Sequence, residues 1–427
     1  MTERNYPRLG ERILTETLEN GLRVAVVPKP GYLRRYACFT AHYGGMDLRF
    51  TLDGVRHDTP AGIAHYLEHK MFDTEDGSAM QRLSRNGAEP NAYTAPSVTA
   101  YYFDCTEHFE ENLRELLSFV SVPYFTAESV EKERGIIAQE IRMTEDEPDW
   151  RVYKNLLSCL YRTHPARVSI AGTEESIRAI TPELLYACHA AFYDPSNMML
   201  CVVGDVDAAR VLSIAREVLP PGRGRAPERD YGAEEPPAPA QARVAEAMDV
   251  AVPQFLVGFK CPASADGDAL LRQDLVGDLA CDVLFGESSP LYQTMYDAGL
   301  INGSFGGGFD QLPGAAYLYA GGECREPERV VTLLIEEAAR LAREGVDETL
   351  FEQSRRAGFG SSLRALNSFE NIAASLADGC FRGFDPFRFP EEYDAVTRAD
   401  VEAFLRENVT RERCAISLLT PRKEDLT

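Results

Sequence analysis

The sequence has no feature typical of a membrane-spanning or disulfide-stabilised protein. None of its 427 residues falls in an apolar run of about 18, the length that crosses a bilayer, and residues 1–7 lack the apolar core of a signal sequence. The ten cysteines stand singly, with no Cys-x-x-Cys pair, which favours buried thiols in a reducing compartment. We therefore expect a cytoplasmic protein with no membrane partner.

Basic residues are also scarce relative to acidic ones. The chain has 44 lysines and arginines against 67 aspartates and glutamates, a formal net charge of −23. Because phosphate binding needs basic patches, a nucleic acid partner is not expected. An acidic surface steers basic peptides toward a protein, but an ordinary solvated surface that maintains solubility is the simpler interpretation.

The length and the order of predicted elements indicate two related domains. A chain of this size exceeds what one hydrophobic core usually supports. Residues 219–242 are rich in proline, glycine and charge, which is typical of a linker. Residues 1–218 and 243–427 each begin with strand-like runs, continue with helices and close with a helix and an apolar strand. We predict an α+β fold of two homologous domains, each a mostly antiparallel sheet with helices on one face.

One short motif predicts a metal site in the first domain. His65, Glu68 and His69 fall on one predicted helix, and residues four apart on a helix share a face, so both imidazoles can reach the same ion. Glu68 is close enough to act on a metal-bound water without displacing a ligand. The order His-x-x-Glu-His is that of the inverzincin peptidases.

The second domain serves as an internal control for this motif. Residues 241–427 contain no histidine. When the two halves are aligned, Cys281, Leu284 and Phe285 fall opposite His65, Glu68 and His69. A motif that the helix needed only for packing would be expected to leave a trace in the copy. We therefore expect the first domain to carry the chemistry.

Catalytic zinc usually takes three protein ligands and keeps one position for water, so a third ligand is needed. The segment 130–143 has helical apolar spacing, and Glu133 and Glu140, seven residues apart, share a face near its apolar stripe. A carboxylate near a core is costly without a partner, and a cation would offset that cost. Spacing alone leaves both glutamates as candidates.

Taken together, the motifs resemble the pitrilysin/insulinase/mitochondrial processing peptidase family of zinc metallopeptidases. The shared motifs are residues 64–69 (Ala-His-Tyr-Leu-Glu-His), 91–94 (Asn-Ala-Tyr-Thr) with 99–103 (Thr-Ala-Tyr-Tyr-Phe), Glu133-Arg134 with Glu140-Ile141, and 192–198 (Phe-Tyr-Asp-Pro-Ser-Asn-Met) before 203–205 (Val-Gly-Asp). The resemblance covers nearly the whole chain and is strong to bacterial cytoplasmic members of about this length, whose genes occur in pairs. It implies one zinc ion per chain held by His65, His69 and Glu140, with Glu68 as general base and Glu133 steadying the site.

The resemblance also assigns substrate contacts. Asn91 and Ala92 match an edge strand that binds the substrate backbone as an added strand, although Asn91 could equally make a turn. Many family members carry an arginine and a tyrosine in the second half that touch the peptide. Here Tyr296 stands in place of the arginine and Asn302 in place of the tyrosine. This departure suggests that the chain works in a dimer with a homologous chain. The dimer is either a homodimer or a heterodimer, and in a heterodimer the partner could be a chain that lacks the zinc motif.

The expected function is a zinc-dependent endopeptidase that hydrolyses peptides or extended protein segments. Two alternatives remain open: a non-catalytic scaffold or assembly subunit of the same fold, and a protease dedicated to maturing one precursor. The run Gly306-Gly307-Gly308 lacks the Lys-Ser/Thr of a phosphate-binding loop and is interpreted as a bend between strands. His42, His108, His164 and His189 have no ligand-like spacing, and we expect His189 to be structural.

Overall fold

The structure, a computed structural model, describes residues 1–264 and 267–422. In chain order its strands are β1 (Thr2–Tyr6), β2 (Glu11–Thr17), β3 (Arg23–Pro28), β4 (Arg35–Ala41), β5 (Arg49–Leu52), β6 (Val55–Asp58), β7 (Asp73–Thr74), β8 (Gly77–Ser78), β9 (Ala88–Thr94), β10 (Thr99–Cys105), β11 (Met198–Gly204), β12 (Glu228–Arg229), β13 (Arg243–Met248), β14 (Gln254–Cys261), β15 (Gly306–Leu312), β16 (Ala315–Glu323) and β17 (Cys414–Pro421). The helices are α1 (Ile63–Met71), α2 (Ala79–Arg85), α3 (Phe109–Ser121), α4 (Ala127–Glu145), α5 (Pro148–Leu160), α6 (Glu174–Arg178), α7 (Pro182–Phe192), α8 (Ala208–Val218), α9 (Gly267–Phe285), α10 (Pro290–Asp297), α11 (Pro327–Glu344), α12 (Glu348–Ala365), α13 (Phe369–Arg382), α14 (Phe389–Ala395) and α15 (Arg398–Asn408).

These elements form two compact units that are not contiguous in sequence. The first unit contains residues 1–141, 168–231 and 365–386, and the second contains residues 142–167 and 232–364 together with the described residues after 386. Each half of the chain therefore contributes a segment to the other unit. The domains predicted from the sequence, residues 1–218 and 243–427, are the two halves of the predicted duplication. Their boundaries remain a prediction.

The first unit is built on a seven-stranded sheet in the order β1-β2-β3-β11-β4-β10-β9. Its pairs are antiparallel except β3 with β11. Alternate side chains of a strand point to one face, so Phe39 and Tyr101 join Leu67 of α1, Leu116 of α3 and Phe192 of α7 in one buried core. This core fixes α1 against the sheet.

The opposite face of that sheet is covered by α13, which comes from the second half of the chain. The Arg23 side chain donates a hydrogen bond to the Cys380 carbonyl oxygen over 3.2 Å. The His42 ring stacks on Phe381 with the ring centroids 4.6 Å apart. A helix from one half of the sequence thus completes the unit built by the other half.

The second unit repeats the same strand pattern in a five-stranded sheet with the order β13-β17-β14-β16-β15. In the first sheet β11 pairs parallel with β3 and antiparallel with β4. In the second sheet β17 pairs in the same way with β13 and β14. Here α5, from the first half of the chain, packs on the sheet. It approaches closely because β14 has glycine at position 258, where a Cβ would lie 2.9 Å from Leu156 Cδ1.

The predicted fold class, α+β with two related and mostly antiparallel sheets, is confirmed. The structure also shows that α5 packs on the sheet of the second unit and α13 on the sheet of the first, which the sequence did not predict. The interpretation of Gly306–Gly308 as a bend is wrong, because these residues begin β15 at the edge of the sheet. Glycine is required at position 307, where a Cβ would lie 2.0 Å from the Tyr319 carbonyl oxygen. Within the described residues no helix is both long and apolar enough to cross a membrane.

The segment predicted to be a linker is largely exposed, but its first part is anchored to the first unit. Its short strand β12 pairs with β5. Beside it, Arg229 forms an ion pair of 3.1 Å with Asp47, which has no exposed surface, and the Tyr231 hydroxyl donates to the same carboxylate over 2.9 Å. Burial raises the pKa of Asp47 to about 6 although Arg229 opposes that change. The boundary between the units follows Tyr231, inside this segment.

Candidate metal centre

Helix α1 places the His-x-x-Glu-His motif at the edge of the first core. The residue before it, Gly62, has φ of 93°, and a Cβ there would lie 2.5 Å from the Ala171 carbonyl oxygen, so the turn into the helix requires glycine. Leu67 faces the core. Tyr66 donates a hydrogen bond from its hydroxyl to the Val130 carbonyl oxygen, which ties α1 to α4.

Helix α4 supplies the carboxylates. Its apolar stripe, Val130, Ile137 and Ile141, is buried in the same core as α1. That packing fixes the rotation of α4 about its axis. As a result Glu133 and Glu140, two turns apart, both point toward the α1 histidines.

Three potential ligands meet between the two helices. His65 Nε2 lies 3.4 Å from Glu140 Oε1, and His69 Nε2 lies 3.5 Å from Glu140 Oε2. In the part of the chain that the structure describes, this is the one group of three histidine, cysteine or acidic side chains whose ligand atoms all lie within 4.8 Å of one another.

The donor set and its spacing fit zinc. Two imidazoles and a carboxylate form a known ligand set for catalytic zinc, which binds nitrogen and oxygen at about 2.0–2.2 Å. Atoms at the corners of a tetrahedron with that radius lie about 3.3–3.6 Å apart. The separations from Glu140 to each histidine are of this size. The residues therefore fit a zinc ion with little rearrangement.

Glu133 contacts the other side of one histidine. Its Oε1 lies 3.0 Å from His69 Nδ1, the ring nitrogen that faces away from Glu140. Burial lowers the pKa of His69, but the hydrogen bond to Glu133 and the nearby carboxylates outweigh it, and the net change is upward. The same hydrogen bond lowers the pKa of Glu133. A carboxylate in this position fixes the orientation of the ring and makes the opposite nitrogen a better ligand.

His65 is oriented differently. Its ring meets the His69 ring edge to face with centroids 4.6 Å apart. Its Nδ1 atom is buried and has no hydrogen-bond partner among the described residues. The hydrogen bond with His65 is the main cause of a lowered pKa for Glu140. Among the described residues, the contacts of this ring are therefore with Glu140 and with the His69 ring.

Glu68 lies beside the three ligands but is not one of them. Its side chain is 8% exposed, and its Oε2 accepts a hydrogen bond from the Thr94 hydroxyl over 2.6 Å. The hydroxyls of Tyr101 and Tyr193 lie 2.8 Å apart in the core. Burial raises the pKa of both tyrosines, and the negative charge of Glu68 adds to the increase. A carboxylate so enclosed has its position set by the protein rather than by bulk water.

The structure brings together the five residues predicted to form the site: His65, Glu68, His69, Glu133 and Glu140. It distinguishes the two glutamates that spacing left open, since Glu140 faces both histidines and Glu133 faces one from behind. Their functional roles stay predictions.

The predicted substrate residues lie in different units. Asn91 and Ala92 are in β9, which is the edge strand of the first sheet and pairs with β10 on one side. Tyr296 and Asn302 are in the second unit. Tyr296 is 51% exposed, and the Asn302 amide donates to Glu323 over 2.8 Å. Their proposed contact with a peptide stays a prediction.

Sequence reasoning missed the contact of Thr94 with Glu68. Thr94 was visible only as part of the Asn-Ala-Tyr-Thr motif, and nothing in its spacing connects it to a helix 26 residues earlier. The expectation for His189 fits its contacts, because its Nε2 lies 3.0 Å from the Val120 carbonyl oxygen in the core.

Comparison with known proteins places these features in a family. Residues 53–174 match the family model described as insulinase (peptidase family M16), and residues 179–357 match the model described as peptidase M16 inactive domain. The first match contains His65, Glu68, His69 and Glu140. The residues of the candidate metal centre thus fall in the part that matches the peptidase model.

Individual relatives match over almost the whole chain. A Bacillus subtilis protein named uncharacterized zinc protease YmfH is 37% identical over 98% of both chains. The crystal structure of a protein described as an M16-like peptidase from Alicyclobacillus acidocaldarius is 35% identical with a TM-score of 0.91, covering 96% of this chain and 99% of that one. A protease from Helicobacter pylori shares the fold at 18% identity and a TM-score of 0.80, covering 96% of this chain and 100% of that one.

Proposed function

The chain belongs to the insulinase family of peptidases, peptidase family M16, and we propose that it is a zinc-dependent endopeptidase. Its substrates are peptides or extended segments of proteins. The observation that carries the proposal is the convergence of His65, His69 and Glu140 at zinc-ligand spacing, with the Glu68 carboxylate buried beside them.

The placement of the residues supports the roles that we propose for them. His65, His69 and Glu140 would hold the ion, and Glu133 would orient His69. A bound zinc ion supplies Lewis-acid chemistry, because it makes water more acidic and polarises the carbonyl of a peptide bond. Glu68 takes a proton from the attacking water and delivers it to the amine that leaves.

Edge strand β9 supports the preference for extended substrates. An extended peptide can add to the free edge of a sheet through main-chain hydrogen bonds, which tolerate varied side chains. Asn91 and Ala92 lie in the middle of that edge, and Thr94 at its end contacts Glu68. A peptide paired with β9 would run beside the metal ligands.

We further propose that the enzyme works in the cytoplasm and as a pair of homologous chains. All ten cysteines are free thiols, which suits a reducing compartment. The replacement of the expected arginine and tyrosine by Tyr296 and Asn302 favours a partner chain that supplies them. Full turnover by this chain alone, measured on a purified homodimer, would contradict the need for a second kind of subunit.

The function is tested by comparing wild type with Glu68→Gln on a mixed peptide library, with zinc content measured on both. The variant keeps the shape of the side chain and removes the base. We expect bound zinc to be retained and hydrolysis to fall by about 10²–10⁴-fold, the usual contribution of general acid–base catalysis.

The matched control is Glu131→Gln, which makes the same change at an exposed position of α4 and should leave activity unchanged. Equal turnover by Glu68→Gln and wild type would mean that the base is misassigned. A scaffold subunit of this fold would instead purify without stoichiometric zinc.

A further inference from the structure

We infer that Thr94 is a positioning residue for the reaction: its hydroxyl holds the Glu68 carboxylate in the orientation in which it accepts a proton from water. This inference rests on the proposed role of Glu68 as the general base. It assigns to Thr94 a function that acts through another residue rather than by contact with the metal.

The contact itself is direct and partly shielded from solvent. Thr94 Oγ1 donates to Glu68 Oε2 over 2.6 Å, and Glu68 is 8% exposed. Glu68 Oε1 makes no hydrogen bond to the described residues. One carboxylate oxygen is therefore held by the protein while the other stays available to a water molecule. A hydrogen bond to a charged, buried acceptor is among the stronger ones in proteins.

The hydroxyl is rigidly mounted. Thr94 ends β9, where it pairs with Thr99 of β10, and the turn between them is closed by a hydrogen bond from Ala95 N to Val98 O over 2.8 Å. The turn is also bound from outside, since Gly45 N donates to Ala95 O over 3.0 Å and Met46 N donates to Pro96 O over 2.8 Å. Thr94 thus has little freedom to withdraw from Glu68.

The adjoining loop requires glycine at position 44 for this packing. A Cβ on Gly44 would lie 2.4 Å from the Ala95 carbonyl oxygen. The close approach is stabilised by Asp47, whose buried carboxylate accepts a hydrogen bond from Gly44 N over 2.7 Å. Edge strand β9 therefore has two proposed functions. Its free edge pairs with the peptide, and Thr94 at its end fixes the base that acts on that peptide.

The test compares Thr94→Val with Thr94→Ser. Valine keeps the shape and removes the hydroxyl, whereas serine keeps the hydroxyl. We expect Thr94→Val to lower kcat by roughly 10- to 100-fold, the factor that a hydrogen bond to a charged group contributes, with KM and zinc content unchanged. Thr94→Ser should restore kcat to within a few-fold of wild type.

The control is Thr40→Val, which removes a buried threonine hydroxyl from β4 of the same sheet. That hydroxyl contacts Cys38 Sγ at 3.3 Å rather than Glu68, so activity should not change. Equal losses in Thr94→Val and Thr94→Ser, or full activity in Thr94→Val, would overturn the inference.

A second measurement separates positioning from substrate pairing without using turnover. In the Glu68→Gln background, affinity for a fluorescently labelled peptide that the wild type cleaves is measured with and without Thr94→Val. If Thr94 acts through Glu68, the two variants bind the peptide equally. Weaker binding by the double variant would show that Thr94 acts on the peptide and would overturn the inference.

The two proposals fail in distinguishable ways. An inactive Glu68→Gln beside a fully active Thr94→Val leaves the proposed function intact and removes the role of Thr94. A fully active Glu68→Gln removes both.

Discussion

The two halves of this chain share one strand pattern, but they differ in the side chains on helix α1 of the first half and helix α9 of the second. In the first unit, α1 carries two histidines and a buried glutamate beside the carboxylates of α4. In the second, the positions aligned with them on α9, Cys281, Leu284 and Phe285, are buried and apolar or thiol-bearing. The same strand pattern therefore carries a candidate metal centre in one copy and apolar packing at the aligned positions of the other. The motif is therefore not a requirement of the fold.

Removing the proposed zinc ligand on α4 should have the largest effect on the first unit. Glu140→Gln removes the charge that faces both histidines, so we expect zinc binding and hydrolysis to be lost together, by more than the 10- to 100-fold that changing a supporting residue costs. The thermal unfolding of the metal-free forms should be similar. Zinc content by mass spectrometry of the native protein and turnover on a peptide library check this.

The α9 position aligned with Glu68 should affect stability and leave zinc binding unchanged. Leu284 has no exposed surface, and Leu284→Ala should lower the free energy of unfolding by about 3–4 kcal/mol because it leaves a cavity. Zinc per folded chain should not change. Chemical denaturation measures the first quantity and metal analysis the second. A Leu284→Ala variant that lost zinc but kept wild-type stability would contradict the assignment of zinc binding to the first half alone.

An ionised side chain in the second unit should prove structural. Glu235 is nearly buried, pairs with Lys260 at 2.9 Å and accepts hydrogen bonds from the backbone N–H groups of Arg162, Thr163 and His164. Burial raises the pKa of Glu235, but these bonds outweigh it and lower the pKa to about 2. Because Glu235→Gln would leave the buried Lys260 ammonium without its charged partner, we expect it to cost about 3 kcal/mol of stability at pH 7.

The sign of the pH dependence follows from the direction of that shift. Because the folded-state pKa of Glu235 is depressed, its contribution is complete above the unfolded pKa near 4.3 and is lost as the pH falls toward about 2. The difference in unfolding free energy between wild type and Glu235→Gln should shrink over that interval. A difference that is constant from pH 7 to pH 2 would contradict this assignment.

The smallest expected effect concerns the residue behind the site. Glu133→Gln keeps a hydrogen-bond partner for His69 but removes the charge, so zinc affinity should fall by about 10- to 100-fold with the fold intact. Competition with a chelator of known affinity measures this. An effect as large as that of Glu140→Gln would mean that Glu133 is itself a ligand.

Much of this arrangement could be predicted from the sequence because it depends on local patterns. Apolar spacing predicted a helical segment over 130–143, and the structure has that segment inside α4, Ala127–Glu145. The spacing of His65 and His69 predicted a shared ion, and the structure places both within reach of one carboxylate. These features repeat every turn of a helix and need no knowledge of distant contacts.

The remainder depends on contacts between distant segments. The exchange of α5 and α13 could not be predicted, because an amphipathic helix does not encode which of two similar sheets it covers. Helical spacing alone could not choose between Glu133 and Glu140, because that choice depends on the rotation of α4, which its packing against α1 sets; only the family resemblance implied it. The contact of Thr94 with Glu68 required the hairpin of β9 and β10 to be in place.

The most direct measurement is X-ray anomalous scattering at the zinc edge from crystals of the wild-type protein. We predict one strong peak per chain, bonded to Nε2 of His65, Nε2 of His69 and the Glu140 carboxylate, with Glu68 beside it and not coordinated. A peak bound elsewhere, or zinc-loaded crystals with no peak between α1 and α4, would contradict the assignment of the metal centre.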